Sequence, residues 1–128
     1  MRVLYICTGN SFRSPAAEAL TRRFKPSFEV ESAGTNPASD IAGNVKSLLD
    51  QEQALKYVKP SPDKISQRAL DEADKIVCMS EKHLQYIKEN FDFDGVTEVW
   101  GISDPVEEGV NPEEVFEKIE KRVKNLED

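Results

Sequence analysis

A cysteine and an arginine near the start of the chain have the spacing of a site that could bind and attack an oxyanion. Five residues lie between Cys7 and Arg13, and most of them are small or polar: Thr8, Gly9, Asn10, Ser11 and Phe12. If this segment curls around one anion, its backbone N–H groups converge on the oxygens. The planar guanidinium of Arg13 can donate hydrogen bonds to two oxygens of a phosphoryl group. A cationic loop favours the thiolate of Cys7 over the thiol. Cys7 is therefore a candidate nucleophile toward phosphorus.

The segments on either side of this loop favour the same geometry. Residues 3–6 are apolar, and residues 2–6 predict a strand with both faces covered. Ligands of open α/β sheets bind beyond the carboxyl ends of such strands. Ser14 is a good N-cap and Pro15 a good first helical residue, so we predict a helix over 15–24 whose N-terminus faces the anion. We expect Gly9 to supply a left-handed or otherwise unfavourable backbone conformation at little steric cost.

The run Cys-Thr-Gly-Asn-Ser-Phe-Arg-Ser-Pro at residues 7–15 resembles the phosphate loop of the low-molecular-weight protein tyrosine phosphatases. That family also includes thiol-dependent arsenate reductases and phosphoarginine phosphatases. Phe12 stands where the family usually has a second cysteine, so the disulfide that often protects the nucleophile cannot form here. The resemblance implies that the phosphate is bound by Thr8, Gly9, Asn10, Ser11, Phe12, Arg13 and Ser14.

A second chemical group follows the last expected strand. The Asp104-Pro105 pair resembles the family's general acid, and Pro105 restricts Asp104 to an extended conformation. A carboxylic acid here can protonate the departing oxygen or nitrogen, and its carboxylate can then take a proton from the water that attacks a phosphocysteine. Cys7, Arg13 and Asp104 are the predicted catalytic residues.

Two further positions enter through the resemblance. Residues 32–35, Ser-Ala-Gly-Thr, resemble the family's turn after the second strand, which implies that Ser32 orients Asn10; an ordinary turn serine is the alternative. A histidine that is common in the family before the third helix is replaced near Pro60.

The rest of the chain alternates between strand and helix patterns. We predict further strands over 28–32, 74–80 and 96–100, and helices within 36–57 and over 66–73, 81–90 and 112–125. Ser80 and Asn111 are the expected caps of the last two helices. This order predicts an α/β fold, a doubly wound four-stranded parallel sheet with helices on both faces, in a flavodoxin-like three-layer arrangement. The 128 residues suit a single domain over 1–128.

Composition limits the other functions. The formal net charge of −7 argues against nucleic-acid binding, and no apolar stretch is long enough to span a membrane. The first strand begins at Arg2 and leaves no room for a signal peptide, so we expect a cytoplasmic protein, and we expect a monomer. The two cysteines make no disulfide scaffold and no Cys/His pair has zinc-site spacing, so we expect neither metal nor cofactor.

We expect Cys78 and His83 to have structural and not catalytic roles. Cys78 lies within an expected strand and is predicted to pack in the core. His83 is the only histidine and lies in the first turn of a helix, where we expect a solvated or capping role. Neither the nucleophile nor the acid needs a histidine in this chemistry.

The leading functional hypothesis is hydrolysis of phosphotyrosine in proteins through a phosphocysteine intermediate. Phosphoarginine is an alternative, because Ala38 and the run Val106-Glu107-Glu108 stand where relatives often have aromatic residues, and Ser11 where many have a bulkier aliphatic residue. Arsenate reduction is favoured by Ser11 and by Trp100-Gly101. It needs an external thiol here, because Ser80 stands where a resolving cysteine is expected. A non-catalytic phosphopeptide-binding module is the last alternative, and the presence of both Cys7 and Asp104 weighs against it.

Overall fold

Four parallel strands form the centre of the molecule in the computed structural model, which describes residues 1–127. The strands are β1 (Arg2–Cys7), β2 (Glu29–Gly34), β3 (Lys75–Cys78) and β4 (Val96–Val99). Their spatial order is β2-β1-β3-β4, and each pairing is parallel. The chain therefore moves from β1 to one side for β2 and crosses to the other side for β3. The resulting switch point lies at the carboxyl end of β1, where ligands of such sheets bind.

Helices cover both faces of the sheet. They are α1 (Arg13–Phe24), α2 (Gly43–Gln51), α3 (Gln67–Glu72), α4 (Glu81–Asn90) and α5 (Pro112–Lys124), with a short 3₁₀ turn at Leu55–Tyr57. Alternate residues of β1 point to opposite faces. Tyr5 lies in a core shared with α1, α2 and α5, whereas Leu4 and Ile6 lie in a core shared with α3 and α4. The predicted three-layer α/β fold is confirmed.

The first helix starts earlier than the sequence predicts. It begins at Arg13 with Phe12 at the N-cap, so Ser14 is not the cap. The Ser14 hydroxyl lies inside the first turn, 2.9 Å from the sulfur of Cys7. The earlier start matters because it places Arg13 in the first turn of the helix, where it lines the same cleft as Cys7.

The left-handed residue of the loop is Asn10 and not Gly9. Asn10 has φ 49°, whereas Gly9 is not among the residues of positive φ. Asparagine adopts this conformation more easily than most residues because its short polar side chain can form hydrogen bonds locally.

The expected caps of the later helices are present. The Asn111 side chain accepts a hydrogen bond from the N–H of Glu113 at 2.9 Å, and Ser80 begins α4 with a capping box that includes His83. Cys78 is completely buried in the core, as predicted, and this burial raises the pKa of its thiol to about 12.

No helix within residues 1–127 is long and apolar enough to cross a membrane. The same residues contain no group of three His, Cys, Asp or Glu side chains placed to hold a metal ion.

Candidate active site

The Cys7 sulfur lies at the carboxyl end of β1 and receives hydrogen bonds from the loop that follows. The side chain is buried, and Sγ is 3.2 Å from the N–H of Asn10 and 2.9 Å from Oγ of Ser14. Asn10 Nδ2 donates to Ser14 Oγ at 2.7 Å. Because this hydroxyl already accepts from an amide, its own hydrogen is free to point at the sulfur. The arrangement suits a thiolate, which accepts hydrogen bonds, better than a thiol.

Asn10 organises the loop 7–14 from a fully buried position. Its Oδ1 accepts from Lys59 Nζ at 2.7 Å and from the N–H of Asp63 at 2.9 Å. Its Nδ2 donates to Ser14 Oγ and, at 3.0 Å, to Ser32 Oγ. The structure thus brings Ser32 to Asn10. All four hydrogen-bonding positions of the Asn10 amide are satisfied, which stabilises the left-handed conformation of this residue.

The carbonyl groups of the loop are bound on its outer side. They accept hydrogen bonds from the backbone N–H groups of the segment 35–42, in the pairs Thr35 to Cys7, Asn36 to Thr8, Ala38 to Gly9 and Ala42 to Ser11. Within residues 1–127, the N–H groups of Gly9, Ser11 and Phe12 have no protein acceptor. The inner side of the loop therefore presents donors, which is the geometry that binds an anion.

Gly34, within the Ser-Ala-Gly-Thr run that resembles the family's turn, allows the loop to lie this close to β2. A Cβ at this position would lie 2.5 Å from the carbonyl oxygen of Thr8 and 3.0 Å from the nitrogen of Asn10. Gly34 pairs with Cys7 across the two strands. Only glycine avoids a backbone collision here.

Arg13 connects the loop to the predicted acid. Its guanidinium is 3% exposed; Nη1 donates to the carbonyl of Ile102 at 3.0 Å, and Nη2 is 3.3 Å from Oδ2 of Asp104. The N–H of Ile102 donates to the carbonyl of Met79, so this segment continues alongside β3. Asp104 Oδ1 accepts from the N–H of Val106 at 3.1 Å, which closes a turn around the carboxylate. The fold thus brings together the three predicted catalytic residues.

Residues 2–128 match the model of the family described as low molecular weight phosphotyrosine protein phosphatase. The chain belongs to this family. The resemblance recognised in residues 7–15 is thereby confirmed.

Curated relatives and solved structures agree with the assignment to the low molecular weight phosphatase family. The low molecular weight protein-tyrosine-phosphatase Wzb of Salmonella typhi is 36% identical over 88 residues, which are 65% of this chain and 56% of that protein. PtpB of Staphylococcus aureus is 28% identical over 96 residues, which are 71% of this chain and 65% of PtpB. The matched segments thus span between about half and two thirds of these relatives.

The structural neighbours extend over nearly the whole chain. The arsenate reductase of Archaeoglobus fulgidus superposes with a TM-score of 0.77 at 32% identity, covering 95% of both chains. A structure of the YwlE arginine phosphatase with a phosphorylated active-site serine superposes with a TM-score of 0.84, covering 97% of this chain and 91% of that one. At 20% identity, the YwlE likeness shows the fold alone.

In this family member, the loop 7–14 forms the floor of a cleft of about 370 Å³. Apart from Asn44, the walls are apolar, and Phe12 is the one aromatic residue among them; the others are Ala38, Ala42, Pro105 and Val106. Ser11 lines the cleft, but its hydroxyl donates to the carbonyl of Asp40 at 2.8 Å. The Ser11 side chain therefore anchors the segment 35–42 and adds little polarity to the cleft.

Lys59 is a buried cation behind the loop that the sequence did not reveal. Its side chain is 7% exposed, and Nζ donates to Asn10 Oδ1 and to the carbonyl of Ser32, at 2.8 Å, besides pairing with Asp63 Oδ2 at 2.8 Å. The one available signal was the expected replacement of a histidine near Pro60. A lysine before a proline in a loop otherwise suggests a solvated side chain.

His83 lies against the loop, so the expectation of a solvated side chain is wrong. Its side chain is 1% exposed; Nδ1 accepts from the N–H of Ser80 at 3.1 Å, and Nε2 is 2.9 Å from Oγ1 of Thr8. Burial, together with the positive charges of Arg13 and Lys82, lowers the pKa of His83 to about 4, against the opposing charge of Asp104. The expected capping role is present, and the ring also contacts the loop 7–14.

Proposed function

We propose that the protein is a cysteine-dependent phosphomonoester hydrolase that acts on phosphotyrosine in proteins. The observation that carries this proposal is the convergence of a sulfur, a guanidinium and a carboxylate on one cleft, at Cys7, Arg13 and Asp104. Membership in the phosphotyrosine phosphatase family supports it. The cleft also has apolar walls against which an aryl ring can lie.

The first chemical step transfers the phosphoryl group to sulfur. The Cys7 thiolate attacks phosphorus, and a P–S bond forms as the bond to the leaving oxygen breaks. Arg13 and the free N–H groups of the loop stabilise the equatorial oxygens, whose charge is spread in the transition state. Asp104 in its acid form gives its proton to the leaving oxygen, which departs as an alcohol or phenol.

The second step releases inorganic phosphate. A water molecule attacks the phosphocysteine while the Asp104 carboxylate takes one of its protons, and the sulfur leaves as a thiolate. The Ser14 hydroxyl lies 2.9 Å from this sulfur and stabilises its negative charge both as nucleophile and as leaving group. No cofactor enters either step.

Phosphoarginine is a second candidate substrate because of the walls of the cleft. Ala38 and Val106 line the cleft at positions where relatives often have aromatic side chains, and Val106 is 86% exposed. Glu107 and Glu108 follow closely and favour a cationic neighbourhood around the phosphorylated residue. Ser11 also supports this choice, because it stands where many relatives have a bulkier aliphatic residue, although its hydroxyl is bound to the carbonyl of Asp40.

Arsenate reduction and simple phosphopeptide binding receive less support. Cys78 is completely buried with its thiol pKa raised to about 12, so it is a poor resolving thiol and an external thiol is required. A binding module needs no acid, yet the Asp104 carboxylate lies beside the Arg13 guanidinium.

Hydrolysis of p-nitrophenyl phosphate tests the chemistry. We expect the wild type to be active, Cys7→Ser to have no measurable activity, and Asp104→Asn to lose about 10²- to 10⁴-fold in kcat. Glu108→Gln is the matched control, because this exposed carboxylate lies nearby and has no role in the steps above. Mass spectrometry of rapidly quenched reactions should detect phosphate on Cys7.

If the wild type binds phosphate but does not hydrolyse p-nitrophenyl phosphate, the protein is a binding module and not an enzyme. For an active enzyme, the ratio of kcat/KM for matched phosphotyrosine and phosphoarginine peptides decides the substrate. We expect this ratio to exceed one, and a ratio below one would assign phosphoarginine.

We also propose a monomeric, single-domain protein of the cytoplasm whose partners are phosphorylated proteins. Both cysteines are free, which suits a reducing compartment. Size-exclusion chromatography with light scattering tests the monomer, and cell fractionation tests the location.

A further inference from the structure

The only histidine of the chain, His83, lies at the start of α4 and contacts the loop 7–14. The His83 ring is buried between two residues, with Nδ1 3.1 Å from both the backbone nitrogen and the Oγ of Ser80, and Nε2 2.9 Å from the hydroxyl oxygen of Thr8. In the sequence, Thr8 lies 75 positions from His83, whereas Ser80 lies only three positions from it. The ring therefore couples a helix terminus to the floor of the cleft.

The contact with Ser80 determines which nitrogen of His83 carries the hydrogen. A backbone N–H can only donate, so Nδ1 must accept and cannot be protonated, and the Ser80 hydroxyl can therefore act toward Nδ1 only as a second donor. A neutral ring then carries its hydrogen on Nε2. The ring is neutral at physiological pH because burial and the nearby Arg13 charge lower its pKa to about 4. Nε2–H consequently donates to Thr8 Oγ1.

Thr8 receives a second donor on the same oxygen. Arg13 Nη2 lies 3.5 Å from Thr8 Oγ1 and adds a weak bond from the guanidinium. A hydroxyl oxygen has two lone pairs and one hydrogen. With both lone pairs facing donors, the hydrogen of Thr8 must be given to a third group. Thr8 lines the cleft together with Cys7 and Arg13.

We propose that His83 is a positioning residue for the phosphate site, which acts by directing the hydroxyl hydrogen of Thr8 toward the bound anion. The loop then offers a side-chain O–H donor in addition to its backbone N–H groups and Arg13. The proposal rests on the proposed function only in that the cleft binds a phosphoryl group; it requires no turnover.

NMR of the single imidazole tests the tautomer directly. In a two-bond ¹H–¹⁵N spectrum, the wild type should show one ring with a protonated Nε2 and an unprotonated Nδ1, unchanged from pH 8 to about pH 5.5. Addition of inorganic phosphate should shift the Nε2 resonance, because its acceptor Thr8 then donates to the anion. A ring protonated on Nδ1, or one that titrates near its ordinary pKa of about 6.5, would overturn the proposal.

Affinity for inorganic phosphate tests the path through Thr8. His83→Gln is the informative variant, because glutamine at this third helical position can still accept from the N-cap backbone in a capping box. We expect α4 and the melting temperature to be retained, and the phosphate Kd to rise about three- to ten-fold, as for the loss of one net hydrogen bond. Thr8→Val should give a similar rise.

The double variant decides between positioning and a general structural role. If His83 acts through Thr8, His83→Gln has no further effect on the phosphate Kd once Thr8→Val is present. Additive losses, or an unchanged Kd in His83→Gln, would refute the proposal. These binding measurements separate it from the enzymatic proposal, which fails instead if the wild type binds phosphate but does not hydrolyse p-nitrophenyl phosphate.

Discussion

Asn10 adopts a backbone conformation more typical of glycine, and its neighbours make this possible. With φ at 49°, it turns the loop so that its own N–H points at the Cys7 sulfur, 3.2 Å away. Such a conformation persists only where the surroundings stabilise it. Here Lys59, Asp63 and Ser32 bind the amide from behind the loop. The Cys7 sulfur is therefore positioned partly by residues that do not line the cleft.

Replacing Lys59 by methionine should weaken both stability and catalysis. The change leaves Asn10 Oδ1 with a single donor and removes the bond to the carbonyl of Ser32, which should cost about 1–3 kcal/mol of unfolding free energy. We expect kcat/KM to fall by about ten-fold or more as the loop loses its geometry. Urea unfolding and p-nitrophenyl phosphate kinetics measure the two effects. Lys88→Met, on the exposed face of α4, is the control; equal behaviour of the two variants would contradict the role of Lys59.

At the scale of elements, the carboxyl end of β1 is where the site is assembled. Cys7 ends this strand and pairs with Gly34 of β2, while the segment after β4 continues beside β3 and brings Asp104 to the same edge. The segment 35–42 follows β2 and binds the outer carbonyl groups of the loop. Each chemical group thus comes from a segment after a strand, and the spacing of the strands determines their separation.

Gly34→Ala should disrupt the site although it adds only a methyl group. The new Cβ would lie 2.5 Å from the carbonyl oxygen of Thr8, so either β2 or the loop must move. We expect a loss of about 1–3 kcal/mol in stability, as for overpacking, together with a large fall in phosphate affinity. Gly43→Ala is the matched control, because nothing lies within 4 Å of the Cβ it would introduce. Phosphate titration and thermal unfolding of both variants give the comparison, and a Gly34→Ala protein with normal phosphate affinity would show that the contact is dispensable.

At the scale of the whole molecule, α1, α2 and α5 close one face of the sheet, and this face contains an unfavourable pair of carboxyl groups. Burial raises the pKa of Glu120 on α5, and the nearby charge of Glu52, just after α2, raises it further. A carboxyl group with a raised pKa binds its proton more tightly in the folded state. Folding stability is therefore lost as pH rises from the ordinary pKa through the raised one.

Glu120→Gln should stabilise the protein at neutral pH and have little effect in acid. The substitution removes a partly buried charge, and we expect the free energy of unfolding to rise by less than about 1 kcal/mol at pH 7. The gain is small because the carboxyl group is partly solvated and because its distant contact with Lys124 is lost. The gain should disappear below about pH 4, where the wild-type carboxyl is protonated in both states. Urea unfolding at pH 7 and pH 4 measures the difference. The exposed Glu108→Gln serves as the control, and a destabilised Glu120→Gln at pH 7 would contradict the assignment.

The sequence by itself determined the features that depend on neighbouring residues. The apolar run of β1, the spacing of Cys7 and Arg13, the caps Ser80 and Asn111 and the alternation of strands with helices are local patterns. They were sufficient for the family and for the three-layer fold. The predicted start of α1 was wrong, and the left-handed residue is Asn10 and not Gly9. Both features depend on which groups the loop contacts after folding. The hydrogen bonds of Asn10 outweigh the conformational freedom of Gly9.

The tertiary structure alone decided which residues stand behind the loop. Lys59 reaches Asn10 across 49 positions and His83 reaches Thr8 across 75, so no spacing in the sequence relates them. Such contacts follow from the order of the strands, which places the segment before α3 and the start of α4 at the edge where β1 ends. Local patterns predicted the chemical groups, whereas burial and long-range hydrogen bonds decided which residues position them.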